Sequence, residues 1–60
     1  MYEKYAHLRD ARGLTDYKVS KATGISPSTL TDWKKGRTVP KADKLKVLAE
    51  LFGVSIEELL

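Results

Sequence analysis

The side chains of this sequence that could do chemistry are hydroxyls, one carboxylate and a run of bases, gathered in its middle. Ser26, Ser28, Thr29, Thr31 and Asp32 lie within seven residues, and Lys34, Lys35, Arg37 and Lys41 lie within the next nine. Hydroxyls and a carboxylate exchange hydrogen bonds with polar edges, while lysine and arginine neutralise phosphate or carboxylate groups. Bond-making chemistry is not supported. The lone His7 has no plausible orienting acid, most serines are needed as helix caps, and Glu57 and Glu58 are adjacent, so they point to different sides of a helix. There is no cysteine, hence no thiolate metal site, and one histidine cannot build a zinc cluster. Recognition without a cofactor or a metal is the expectation, and His7 reads as an ordinary surface or boundary histidine.

These groups need elements to position them. Thr15 to Trp33 reads as two short helices pinched together at Gly24. Thr15 caps the first; Ser26 caps the second, with Pro27 at its first helical position, where a missing N–H costs nothing. Only Ile25 separates the glycine from the new cap, so the chain must turn sharply, and a left-handed backbone at Gly24 is the easy solution. Two helices joined by so short a turn are a helix-turn-helix. The second begins Ser-Pro-Ser-Thr and exits through Lys34-Lys35-Gly36-Arg37, a hydroxyl tip and a basic exit that suit a DNA major groove flanked by phosphates.

The rest of the chain is helical too. Gly13, Gly24, Gly36 and Gly53 each fall where a helical pattern stops, and no β-type alternation occurs, which predicts five helices. The first covers about Tyr2–Arg12 with Tyr5, Leu8 and Ala11 inward; Tyr2 belongs at the domain edge. The second covers Asp16–Thr23 and the third Pro27 to about Lys35. The fourth covers Ala42–Phe52 with Leu45, Leu48, Ala49 and Phe52 as its inward stripe, and the fifth Ile56–Leu60. Leu14 with Val19, Ile25 with Leu30, and Val54 with Leu59 repeat the hydrophobic staple, and Ser55 with Glu58 forms a capping box. Trp33 takes the last core position of the motif, partly buried. Lys41 stands where a cap residue is expected, which forfeits the cap and sets positive charge against the positive end of a helix dipole.

Sixty residues make one domain, 1–60, with a thin core: a chain this short buries about 60% of its unfolded surface. The charge is +3 but lopsided. Lys34 to Lys46 holds six bases against Asp43, and Ala49 to Leu60 holds three glutamates and no base. No apolar run is long enough to span a membrane and no signal layout opens the chain, so a cytoplasmic location is expected. The pattern breaks off inside the fifth helix, consistent with a piece of a longer chain.

Residues 14 to 60 resemble the helix-turn-helix family of phage repressors and Cro proteins, the xenobiotic-response-element type. The matching residues are Gly13-Leu14-Thr15, Val19, Gly24-Ile25-Ser26, Leu30, Trp33, Gly36-Arg37-Thr38-Val39-Pro40, Leu45, Leu48-Ala49, Phe52-Gly53-Val54-Ser55 and Leu59, with Arg9 also in register. The resemblance implies an all-α, five-helix, lambda-repressor-like domain acting as a bacterial or phage transcriptional regulator. It implies double-stranded DNA as partner, a palindromic operator and a homodimer. Carried over by position, Pro27, Ser28, Thr29 and Asp32 would face base edges, and Tyr17, Thr31, Lys35, Arg37, Thr38 and Lys41 would meet phosphates. Two readings stay open for several of these: Asp32 accepts from a cytosine amino group or is a solvated polar residue, and Ser28 and Thr29 read bases or reinforce the helix start. Val47, Leu51, Ile56 and Leu60 are the candidate dimer surface. The alternative is a protein-contact module, antitoxin-like or sensor-attached.

Three residues depart from the family pattern. Asp16 stands where a phosphate-holding glutamine is common, which shifts the anchor to Tyr17. Ser20 replaces alanine at the close helix crossing and fits if its hydroxyl bonds back to its own helix. Lys34 replaces the acid that pairs with the arginine of the first helix, so Arg9 loses its expected partner.

Overall fold

Four α-helices and one short 3-10 turn account for the regular structure of the computed structural model, which describes residues 1–60. They are α1 (Tyr2–Ala11), α2 (Asp16–Thr23), α3 (Pro27–Lys34), α4 (Ala42–Phe52) and a turn over Ile56–Glu58; there are no strands. The expected bounds of α2 and α4 are met, and α1 and α3 each stop one residue early.

Local chemistry explains the ends. Thr15 Oγ1 accepts from the Lys18 N–H and Ser26 Oγ from the Thr29 N–H, each at 3.2 Å, so both helices of the motif start on a side-chain cap. Gly24 closes α2 at φ 79°, a left-handed value that a Cβ would disfavour, although nothing lies within 4 Å of where that Cβ would be. The end of α3 is a Schellman motif: Gly36 at φ 76° donates its N–H to Trp33 C=O at 3.0 Å, and Arg37 N–H reaches Asp32 C=O at 2.8 Å. α4 starts at Lys41 with no side-chain cap, as its sequence predicts.

The fifth helix is the correction. Beyond Ser55 the backbone makes only i→i+3 bonds, Glu58 N–H to Ser55 C=O, Leu59 to Ile56 and Leu60 to Glu57. Residues Ile56–Glu58 are therefore 3-10, the tighter form that short helical pieces take. The Glu58 carboxylate still reaches back to the Ser55 N–H at 3.1 Å. Ile56, expected on a free face with Leu60, packs against the core instead.

The core is Tyr5, Val19, Ile25, Leu30, Trp33, Leu45, Leu48, Ala49, Phe52 and Leu59. α2 packs on α3 and α4, and α4 carries the C-terminal turn. Tyr5 is the aromatic hub, with ring centroids 5.1 Å from Trp33, 5.6 Å from Tyr2 and 6.0 Å from Phe52. Tyr2 closes over Trp33 edge-on at 5.7 Å, so Trp33 is 3% exposed, buried more completely than the margin of a small core predicts. Ala11, expected inward, is exposed because α1 ends there. Arg12 next to it ties the two layers together, donating to Phe52 C=O at 2.6 Å with its guanidinium 5.4 Å from the Phe52 ring centre.

Candidate nucleic-acid interface

Burial splits α3 into two faces. Leu30 and Trp33 are in the core, while Pro27, Ser28 and Thr31 are exposed and Thr29 and Asp32 are half-buried at the boundary. The apolar spacing of 30 and 33 dictates this split, because residues three apart share a helix face. The bend that follows leaves Lys35, Arg37, Thr38 and Lys41 exposed and buries Pro40, which seats the bend against the body of the protein.

The hydroxyls at the tip are not equally free. Thr29 Oγ1 lies 2.8 Å from Ser26 Oγ, so it is part of the helix start. Ser28 Oγ is 3.4 Å from Ser26 Oγ, a long contact that leaves it open to another partner. Pro27 occupies the first turn, where it has no N–H to donate and can offer shape or an apolar contact. Asp32 and Arg37 are brought together: Arg37 Nη1 lies 3.5 Å from Asp32 Oδ1, beside the main-chain bond between the same two residues. The pair is long and both side chains stand in solvent. Tyr17, on the first turn of α2, is 66% exposed, and Lys21 Nζ sits 5.6 Å from its ring centre. The sequence reading missed Lys21, although a tyrosine and a lysine four apart on a helix are neighbours by spacing alone.

Asp16 and Arg9 behave differently from expectation. Arg9 does have a partner: its Nη1 lies 2.8 Å from Asp16 Oδ1, and its Nε lies 2.9 Å from Asp10 Oδ1. The Tyr5 hydroxyl donates to the same Asp16 oxygen at 2.6 Å. Burial alone would raise the Asp16 carboxyl, but the hydrogen bonds from Tyr5 and Arg9, with the charges of Arg9 and Lys34, hold it below the usual carboxylate range. Burial, and then the bond to Asp16, push the Tyr5 hydroxyl well above its ordinary value. Asp10 and Asp16 do the same for the Arg9 guanidinium. Lys34 is thus part of this cluster's electrostatics. The acid that Arg9 lacks after α3 is supplied at the start of α2, where it also complements the helix dipole. The Ser20 hydroxyl makes no bond back to its helix; Thr23 does so instead, donating to Val19 C=O at 2.7 Å.

No group of histidine, cysteine or acidic residues could hold a metal ion, and no helix is long and apolar enough to cross a membrane. Of the candidate dimer residues, Leu51 and Leu60 are exposed and Val47 and Ile56 half-buried.

Two capped helices meeting at a left-handed glycine, the second with its polar edge turned outward, define a helix-turn-helix protein. A helix-turn-helix family model matches residues 6–59, and the chain belongs to that family, in its phage-repressor and Cro branch. It is 31% identical over 58 residues to the transcriptional activator BcrR of Enterococcus faecalis, which covers 97% of this chain and 28% of BcrR. It is 36% identical over 58 residues to the transcriptional regulator DdrOP3 of Deinococcus deserti, covering 97% of this chain and 45% of DdrOP3. It is 33% identical over 57 residues to the cryptic phage CTXphi transcriptional repressor RstR of Vibrio cholerae, covering 95% of this chain and 51% of RstR. The chain therefore spans between about a quarter and a half of the length of these relatives. No solved structure matches it at a significant level.

Proposed function

We infer that this chain binds double-stranded DNA as the recognition module of a transcriptional regulator, with α3 laid in the major groove. The observation that supports this best is the exposed polar edge of α3 next to the exposed basic bend over Lys35–Lys41, with the opposite edge of α3 locked in the core. The relatives named as an activator, a regulator and a repressor agree with it. In this reading Pro27, Ser28, Thr29 and Asp32 face base edges. Ser28 is the more adaptable hydroxyl, because Thr29 is already shared with the Ser26 cap. Tyr17, Thr31, Lys35, Arg37, Thr38 and Lys41 meet phosphates, which sets orientation and salt dependence. Two copies on a palindromic operator would lie about 34 Å apart, one helical turn. Leu51 and Leu60 are the exposed apolar residues available for that contact, with half-buried Val47 beside them and Ile56 turned to the core, and the cytoplasm is where such a module would work.

Selection of bound duplexes from a randomised pool tests the reading. The expected result is enrichment of a defined half-site, repeated in inverted orientation. A pool that stays random after several rounds contradicts sequence-specific binding and favours a module that contacts protein.

A further inference from the structure

We propose that Asp32 and Arg37 work as one unit: the carboxylate holds the guanidinium away from phosphates until a base-edge amino group takes its place. The proposal rests on the duplex-binding reading above and adds how that surface separates one sequence from another. Asp32 is the only acid between Tyr17 and Ala42, set among Lys34, Lys35, Arg37 and Lys41. An acid in the middle of a surface meant for a polyanion weakens attraction to every duplex alike, so its place there calls for a compensating role.

The fold makes the pairing specific. Gly36 at φ 76° turns the chain back, and the 2.8 Å bond from Arg37 N–H to Asp32 C=O fixes the two backbones together. Their side chains then meet at 3.5 Å. Neighbouring Trp33, buried in the core and accepting from Gly36 N–H at 3.0 Å, keeps this helix end from shifting on its own. The pair itself is loose. Asp32 is 40% exposed and Arg37 67% exposed, and an ion pair in such surroundings is weak enough to be exchanged.

Where the bound register sets Asp32 against the acceptor side of a base pair or against a phosphate, it keeps Arg37. Where a cytosine N4 or adenine N6 amino group lies under α3, Asp32 accepts from it, the ion pair opens, and Arg37 reaches a neighbouring phosphate. Reading one base thus adds one phosphate contact. The salt dependence follows: for the wild type, the log–log slope on a selected duplex is steeper than on a scrambled one by about 0.9, the share of one phosphate.

A double-mutant cycle tests this with D32N, R37Q and D32N/R37Q, each shown folded by circular dichroism. The probes are a duplex selected on the wild-type chain and a scrambled duplex of the same composition. On the scrambled duplex D32N should tighten binding about two- to fivefold and steepen the salt slope by about 0.9. With Arg37 already replaced, D32N should leave that slope unchanged. If D32N tightens scrambled binding equally in both backgrounds, Asp32 acts alone by repelling phosphates and the coupling is wrong. Unchanged binding in D32N also overturns it. A wild-type chain that holds no duplex at low salt overturns the coupling together with the duplex-binding reading; a wild-type chain that binds but shows no coupling overturns the coupling alone.

Discussion

Asp16 and Asp32 stand in successive helices of one motif and are almost equally exposed, at 38% and 40% of the side chain, yet the fold uses them in opposite ways. Asp16 takes two short bonds on one oxygen, 2.6 Å from Tyr5 and 2.8 Å from Arg9, and so joins the aromatic hub of the core to the start of α2. Asp32 has one side-chain partner, Arg37, at 3.5 Å, on the edge of the surface assigned to DNA. Exposure alone therefore says little about the role of a surface acid. Partner distance says more, because a charge held by two short, partly desolvated donors resists rearrangement, whereas a long pair in water does not. The short, shared hydrogen bonds lie on the Asp16 side of the motif and the long, solvent-exposed ion pair on the Asp32 side.

That contrast can be broken by mutation. The largest stability effect should come from Asp16→Ala, which leaves the Tyr5 hydroxyl and the Arg9 guanidinium without their shared acceptor. Because Asp16 is more than a third exposed, solvent screens part of the loss, and about 1–2 kcal/mol is expected. For a domain of this size that is a fall in melting temperature of about 4–8 °C per kcal/mol. An unchanged melting temperature would place the cluster outside the stability of the fold.

Acid should reproduce the same loss reversibly. The Asp16 carboxyl is depressed in the folded state, so its contribution is present above the unfolded carboxylate value of about 3.9 and disappears as pH falls through the lower folded value. Wild-type and Asp16→Asn melting temperatures should differ at neutral pH and converge as pH falls through the depressed folded value. A gap that stays constant with pH would mean that Asp16 acts through packing and not through its charge.

On the other side of the motif, Lys41→Ser should have the reverse sign. It supplies the missing cap of α4 and removes a cation from the positive end of the helix, for a gain of about 0.5–1.5 kcal/mol, while duplex affinity falls. A variant that is more stable and binds duplex equally well would remove Lys41 from the interface. Smallest of all, Asp32→Asn should move stability by no more than about 0.5 kcal/mol. A loss as large as that of Asp16→Ala would abolish the distinction between the two acids.

The same distinction explains what the sequence reveals. The limits of α2 are written locally, in the Thr15 cap at one end and Gly24 at the other, and α4 closes on Gly53 after an apolar stripe that starts beyond Pro40; all appear where expected. The amphipathic split of α3 is equally local, since Leu30 and Trp33 are three apart. The Arg9–Asp16 pair is not, because it depends on how α1 lies across α2. Read position by position, Lys34 leaves Arg9 without its expected partner, and nothing in the spacing of 9 and 16 announces a contact. The sealing of Trp33 by Tyr2 fails to show for the same reason: Tyr2 reads as an edge residue until α1 is seen packed over α3. The last turn misleads differently. Ser55, Glu58 and Leu59 carry every local sign of a helix start, yet the backbone beyond Ser55 makes only i→i+3 bonds. Within the interface, exposure of Ser28 and the basic bend is legible from polarity, whereas the pairing of Asp32 with Arg37 follows from the Schellman geometry at Gly36.

Duplex affinity measured against salt for the wild-type chain tests the central claim most directly. If the polar edge of α3 and the bend behind it face DNA, binding to a duplex should be readily measured at low salt. It should weaken with a log–log slope of about −0.9 for each phosphate neutralised by Lys35, Lys41 and their neighbours. A chain that shows no duplex affinity at low salt, or an affinity indifferent to salt, would contradict the account.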